Sequence, residues 1–258
     1  MTVLSPGSTL TDLVRNVVVA LLAIAQVVVA VLAGGAVGAV AREYASPLLA
    51  AGWAFAVWLP IYAGFLGYAV FQALPGQRAR QVHRETGWWM AASALFSVGW
   101  VLAFAANWLP LAELLIIALL VSIAIVFGRF CRTPAEGGAE RVVARGTVAL
   151  YAGWLCMATP MATAATGVWF GLPGTGALAA IAAVVVLLAV TAIVSWAVLS
   201  GTAVVLFAAG AVWAIVGIAL NEPPASVVVA GAVAIVIVLA ATARRISTAG
   251  YPGRAAWG

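Results

Sequence analysis

The sequence predicts an all-α membrane protein with eight transmembrane helices, and three observations support this prediction. Of the 258 residues, 66% are hydrophobic and only 7% are charged, whereas a soluble globular protein carries about 25% charged residues. Eight apolar runs approach or exceed the roughly 20 residues that a helix needs to cross the hydrocarbon core. The arginines between these runs are unevenly distributed, as in proteins whose orientation follows the positive-inside rule.

The eight predicted spans are separated by short polar segments or by glycine and proline. They are Val17–Val40, Leu49–Leu74, Gly87–Ala106, Leu111–Phe130, Thr147–Phe170, Gly176–Leu199, Thr202–Leu220 and Ser226–Thr242. The stretch from 176 to 220 is too long for one span. We therefore place a tight turn at Gly201, between the sixth span and the seventh.

All the basic residues are arginines, and their positions predict the topology. With a cytoplasmic N-terminus, only Arg42 falls outside the cell. The others share the cytoplasmic side: Arg15, Arg78, Arg80, Arg84, Arg129, Arg132, Arg141, Arg145, Arg244, Arg245 and Arg254. This bias predicts an even number of spans and a multi-pass protein of the cell membrane with both termini cytoplasmic. Because topology accounts for the basic residues, we expect no nucleic-acid partner.

The chain divides into two regions that differ in composition. The longest loop, Cys131 to Gly146, separates the first four spans from the last four, and most tryptophans lie in the first five spans. Spans six to eight consist mostly of Ala, Val, Ile and Leu. We therefore expect residues 1–170 to form the functional bundle, and residues 171–258 to add three packing helices and a cytoplasmic tail.

Several classes of membrane protein are excluded by missing residues. Without lysine, the chain cannot form a retinal Schiff base or act as a lysine-dependent P-loop ATPase. Its one histidine, His83, lies in an arginine-rich loop, which excludes bis-histidine haem and histidine-rich metal clusters. Cys131 and Cys156 form no CxxC pattern. The sequence predicts neither an enzyme nor a cofactor or metal site.

Aromatic residues form stripes in the second and third spans. Phe55, Trp58 and Tyr62 are spaced i, i+3 and i+7, and Phe96 and Trp100 share one face of the third span. At a rise of about 1.5 Å per residue, the Tyr62 and Trp100 rings lie near mid-membrane, where interfacial anchoring does not explain them. Two interpretations remain: an aromatic-lined pocket for a flat apolar ligand, or ordinary helix packing.

The fifth span continues the aromatic pattern. Tyr151 and Trp154 are followed on their face by Ala158, Ala162 and Ala165, whose small side chains would leave room beside the aromatic rings. We expect this room to form a pocket with the second and third spans.

The spans also contain one carboxylate, two prolines and a glycine pair that bear on the prediction. Glu113, near the outer end of span four, is a candidate polar contact at a pocket mouth or an interfacial residue. Pro60 and Pro160 are expected to kink their helices. Gly34-x-x-x-Gly38 in span one is typical of a helix packing contact.

Four motifs in register resemble those of the TspO/MBR proteins, also called tryptophan-rich sensory proteins and translocator proteins. They are Gly52-Trp-Ala-Phe-Ala-Val-Trp-Leu-Pro-Ile-Tyr62, Leu95–Trp100, Trp108-Leu-Pro-Leu-Ala-Glu113 and Leu150-Tyr-Ala-Gly-Trp154. The resemblance extends over roughly residues 15 to 170, and the whole chain is most similar to longer, eight-span bacterial relatives.

The resemblance implies a five-helix bundle with a ligand pocket near the link between helices one and two. It implies binding of a hydrophobic small molecule, such as a porphyrin or another tetrapyrrole, in a sensory or translocating role. The candidate ligand-binding residues are Trp53, Phe55, Trp58, Tyr62, Phe96, Trp100, Glu113, Tyr151 and Trp154. Membrane lipid is the other expected partner, and homodimerisation stays open. The alternatives are a secondary transporter or permease and a structural subunit of a membrane complex.

Overall fold

Helices make up nearly all of the fold. The computed structural model describes residues 7–258, and within that range it contains no β-strand. The α-helices are α1 (Leu10–Glu43), α2 (Trp58–Ala73), α3 (Gln81–Ala105), α4 (Leu109–Arg132), α5 (Thr147–Trp169), α6 (Gly176–Ser200), α7 (Val204–Ala219), α8 (Ala225–Ser247) and α9 (Pro252–Trp257). Seven helical segments of the described range are long and apolar enough to span a membrane, and α7, with 16 residues, is shorter. The all-α membrane fold is confirmed, and the count of eight spans holds approximately.

The first helix is much longer than its apolar run. The Thr9 hydroxyl accepts a hydrogen bond from the Asp12 backbone N–H, and the Asp12 carboxylate accepts one from the Thr9 N–H. This reciprocal cap satisfies two N–H groups that a helix start otherwise leaves unpaired. The helix therefore begins at Leu10 rather than near the predicted Val17. Its 34 residues extend about 51 Å, well beyond the roughly 30 Å hydrocarbon core.

The second predicted span is only partly α-helical. Gly52–Val57 forms a 3₁₀ helix that leads into α2. The start of α2 at Trp58 puts Pro60 in the first turn, where the missing N–H of proline costs no intrahelical hydrogen bond. Phe55 therefore lies in the 3₁₀ helix, whereas Trp58 and Tyr62 lie in α2. The three residues do not share one continuous α-helical face.

Other boundaries differ by a few residues. The third helix begins at Gln81, and α4 includes Cys131 in its last turn. A π-helical segment, Glu140–Gly146, leads directly into α5, so the loop predicted from Cys131 to Gly146 is reduced to residues 133–137. The predicted break between spans six and seven lies at residues 201–203, where Ala203 adopts a left-handed conformation (φ 55°).

Ion pairs connect the helices at one end of the bundle, which we call the arginine end. Asp12 pairs with Arg15 at 2.8 Å and with Arg84 at 2.6 Å, which ties α1 to α3. The Glu140 carboxylate pairs with Arg145 at 2.7 Å and with Arg80 at 2.9 Å.

The arginine end also contains the ends of α4, α6 and α8. Arg145 donates to the Thr133 carbonyl at 2.5 Å, and Arg245 donates to the Gly201 carbonyl at 3.0 Å. Arg42 lies at the other end of α1, about 40 Å from Arg15 along the helix. The uneven placement of arginines predicted from the sequence is therefore present in the fold.

The fifth helix lies at the centre of the bundle and makes its closest contact with α7. Tyr151 and Trp154 are fully buried. A Cβ placed on Gly153 would collide with the Phe207 carbonyl oxygen, and one on Gly210 would collide with the Leu150 carbonyl oxygen. The two backbones can approach this closely only because neither glycine has a side chain.

Candidate functional site

A cleft opens between the C-terminal half of α1 and the beginning of α2, and we call it the α1–α2 cleft. Its volume of about 800 Å³ falls within the 300–1,000 Å³ typical of small-molecule sites. The rim contains Val31 and Leu59, both strongly exposed. The cleft therefore opens through the side of the bundle, where lipid surrounds a membrane protein.

The two walls of the cleft differ. The α1 wall is smooth because it contains Gly34, Gly35 and Gly38, and no heavy atom lies within 4 Å of a Cβ built on Gly34 or Gly35. The prediction that Gly34 and Gly38 form a helix packing contact is therefore wrong within the chain. The residues face open space because α1 packs mainly on α3 through other positions.

The opposite wall is aromatic and comes from the 3₁₀ helix, α2 and α3. It consists of Phe55, Trp58, Tyr62 and Trp100. The Trp58 ring lies between Tyr62, at 5.4 Å between centroids, and Trp100, at 6.1 Å, and is inclined by 26° to each. Because the rings stack on one another, they present mainly their edges to the cleft, and a flat apolar molecule can make edge-to-face contacts with them. We call this wall the stacking surface.

A second layer of aromatic residues lies behind this wall. The fully buried Tyr151 and Trp154 of α5 meet the Trp58 ring edge-on, at 5.4 and 6.3 Å, and Phe55 meets Trp154 edge-on at 5.8 Å. These contacts hold the Trp58 side chain between α2 and α5. The stacking surface therefore has a rigid backing.

A small cavity of about 40 Å³ lies beyond the aromatic wall and shares Phe55, Trp58 and Trp100 with the cleft. Trp154 and the predicted alanine face of α5 line its other side, together with Met161. The alanines are Ala158, Ala162 and Ala165. They do leave room beside the aromatic rings, as expected from their size, but this room is far smaller than the cleft.

Several polar atoms around the aromatic wall have no hydrogen-bond partner among the described residues. They are Trp100 Nε1, Trp154 Nε1, the Tyr151 hydroxyl and Ser97 Oγ, all buried. A buried donor without an acceptor costs about 1–3 kcal/mol. An oxygen atom of a bound molecule could remove part of this cost at Trp100, whose ring lines the cleft.

Besides Tyr151 and Trp154, which lie behind the aromatic wall, three predicted site residues do not line the cleft. Trp53 is 44% exposed and packs edge-on against Trp213 of α7 at 5.1 Å. Phe96 is half-buried and does not line the cleft. Glu113 accepts a hydrogen bond from the Thr163 hydroxyl at 2.6 Å, between α4 and α5.

A second groove, of about 440 Å³, lies between the C-terminal half of α5 and the N-terminal half of α6. It is lined by aliphatic residues, prolines and threonines, and no aromatic ring contributes to it. The α1–α2 cleft is therefore the better candidate for a flat ligand. No group of three His, Cys, Asp or Glu side chains suited to a metal ion occurs in the described part of the chain.

The cleft residues of α1 escaped the sequence analysis. Besides the glycines, this wall includes Val37, Ala41 and Arg42. The only sequence signals were the glycine spacing, which is equally typical of helix packing, and the position of Arg42 apart from the other arginines.

Comparison with protein families agrees with the motifs and the fold. The sequence model of the family described as TSPO-like protein matches residues 12–244. The chain belongs to the TSPO-like family. No curated protein and no solved structure matches it significantly. The match includes α6–α8, so in this TSPO-like protein the family likeness extends beyond the five helices that contain the recognised motifs.

Membership of the family and the apolar helices together make the chain a multi-pass membrane protein. In this TSPO-like protein, the aromatic cluster around Trp58 contains residues from three of the four motifs that suggested the family, those of the second, third and fifth spans. The third-span motif contributes Trp100, which completes the stack.

Proposed function

We propose that this TSPO-like protein binds a flat hydrophobic ligand of the tetrapyrrole class in the α1–α2 cleft, in a sensory or translocating role. It would act in the cell membrane with both termini in the cytoplasm. The observation that supports the proposal is the stack of Tyr62, Trp58 and Trp100 facing a cleft of about 800 Å³.

The proposed role is binding rather than catalysis. The cleft wall contains one charged side chain, that of Arg42, and no histidine, cysteine or carboxylate. These are the groups that most often supply general acid–base or nucleophilic catalysis, and the phenol of Tyr62 is the one less usual catalytic group on this wall. Stacking surfaces and apolar walls, by contrast, are sufficient for capture of a planar apolar molecule.

Quenching of tryptophan fluorescence by protoporphyrin tests the proposal. We expect saturable quenching of the protein in lipid nanodiscs. The Trp100→Ala variant should bind about tenfold more weakly, because it loses one ring of the stacking surface. The control is Trp196→Ala, which removes an indole that is 70% exposed on α6 and should leave the affinity unchanged.

Two results would remove the proposal. One is quenching of the wild-type protein that rises linearly with porphyrin and does not saturate. The other is an equal affinity of the Trp100→Ala and Trp196→Ala variants, with both shown to be helical by circular dichroism. Proton-gradient-dependent flux of the porphyrin in proteoliposomes would favour the permease over the sensor.

A further inference from the structure

Arg42 lies on the wall of the α1–α2 cleft, in the last turn of α1. Its guanidinium Nη1 is 3.4 Å from a Cβ built on Gly38, one turn earlier. The side chain therefore folds back along the glycine wall of the cleft. A bulkier residue at position 38 would compete with the guanidinium for this space.

The guanidinium of Arg42 forms no ion pair or side-chain hydrogen bond with any described residue. Several arginines at the arginine end pair with Asp12 or Glu140 or donate to backbone carbonyls, whereas the exposed Arg132 and Arg141 do not. Arg42 is exposed, so its guanidinium is accessible to a ligand at the cleft, and a guanidinium matches the two oxygens of a carboxylate or phosphate closely.

A second donor points to an acceptor-bearing ligand. Trp100 is only 7% exposed, lines the same cleft, and its Nε1–H has no partner among the described residues. The cleft thus combines a stacking surface, one buried neutral donor and one cation. A pure hydrocarbon ligand would leave both donors unpaired.

We infer that the cleft selects an amphipathic acid, a flat apolar molecule with a carboxylate that pairs with Arg42. This inference rests on the proposed function. The shared chemistry is an anionic oxygen pair, which a lipid phosphate could also supply. The simpler role of a basic residue near a helix C-terminus, favourable interaction with the helix dipole, predicts no selectivity between ligands.

The test compares protoporphyrin IX with its dimethyl ester, which has the same ring system but no carboxylate. Both are titrated into wild-type protein and the Arg42→Gln variant in nanodiscs of zwitterionic lipid. The matched control is Arg132→Gln, since Arg132 is exposed at the arginine end and does not line the cleft. Taking the ratio of each variant to wild type cancels differences in partitioning between the two porphyrins.

We expect Arg42→Gln to weaken binding of the acid by about tenfold or more, the usual contribution of a hydrogen bond to a charged group. Binding of the ester should change by less than about twofold, because a neutral ester cannot form the ion pair. Arg132→Gln should leave both affinities unchanged. Arg42→Lys should retain part of the preference for the acid, because it keeps the charge and loses the two-pronged geometry.

Two results would overturn the inference while the proposed function stands. One is an equal effect of Arg42→Gln on acid and ester. The other is an Arg42→Gln variant that binds acid and ester as tightly as wild type but no longer retains a phospholipid that co-purifies with the wild-type protein in native mass spectrometry. That result would assign Arg42 to a lipid headgroup. If neither porphyrin binds the wild-type protein saturably, the proposed function itself fails, and the inference fails with it.

Discussion

Replacing Gly153 with alanine tests how closely α5 and α7 are packed. A Cβ at this position would lie 2.8 Å from the Phe207 carbonyl carbon, against 3.4–4 Å in ordinary van der Waals contact, and the carbonyl oxygen would be closer still. Both are backbone atoms, so no change of side-chain rotamer can relieve the contact. The two helices have to separate.

The expected cost follows from two opposing effects. Overpacking a well-packed interior costs typically about 1–3 kcal/mol, and a contact with rigid backbone belongs at the upper end of that range. Alanine in a helix interior recovers about 1 kcal/mol relative to glycine. The net loss for Gly153→Ala is therefore about 2 kcal/mol.

The matched control is Gly128→Ala. Gly128 lies inside α4, and a Cβ built there meets no heavy atom within 4 Å. This variant should gain about 1 kcal/mol from helix propensity alone, so the two variants should differ by about 3 kcal/mol. For a chain of this size the melting temperature changes by roughly 2–4 °C per kcal/mol.

Thermal denaturation in detergent, followed by circular dichroism, measures this difference. Because Trp154 is the next residue after Gly153, separation of the helices should also weaken protoporphyrin quenching. A Gly153→Ala variant that melts at or above the temperature of Gly128→Ala would refute the close contact between α5 and α7.

Three further predictions follow from single contacts. Gly34→Leu should abolish saturable protoporphyrin quenching without lowering the melting temperature, because the new side chain enters the open cleft; unchanged quenching would show that no ligand binds there. Arg145→Gln should cost about 3 kcal/mol, since it leaves the buried Glu140 carboxylate with Arg80 as its remaining cationic partner and removes the donor to the Phe130 and Thr133 carbonyls. The exposed Arg141→Gln should melt like wild type, and equal melting of the two variants would count against the buried ion pair. Trp213→Phe removes the 2.7 Å hydrogen bond from Trp213 Nε1 to the Ala54 carbonyl and should cost about 1 kcal/mol. It should also speed hydrogen exchange in the 3₁₀ helix, and unchanged exchange would contradict a role of this bond in holding that helix.

Hydropathy identified the helices well but not their ends. Apolar runs are visible in the sequence because lipid demands them, so the all-α membrane fold could be predicted. The start of α1 could not, because the polar residues Asp12 and Arg15 look like the end of a span. Both are buried: Asp12 pairs with Arg84 of α3, and Arg15 pairs with Asp12 and donates to the Arg78 carbonyl. Such pairing depends on tertiary contacts.

The sequence was sufficient to predict which residues form the aromatic cluster, but not where the cavity beside them lies. Trp58, Tyr62, Trp100 and Trp154 are identified by their spacing and depth. The cavity beside them was expected among the second, third and fifth spans, and most of it lies instead against α1. The spacing of glycines cannot reveal whether another helix covers them, so Gly34 was assigned to packing although it faces the cleft.

The link between α1 and α2 depends on a distant part of the chain. The Leu49 carbonyl accepts from Asn221 at 3.1 Å, the Ala51 N–H donates to the Gly217 carbonyl at 2.9 Å, and the indole of Trp213 reaches Ala54. Residues of α7 and the segment just after it thus hold in place the backbone of residues 49–54, which leads into the aromatic wall. A shortened protein that stops after α5 would lose these anchors, and the mouth of its cleft would have to be braced by something else, such as a neighbouring subunit.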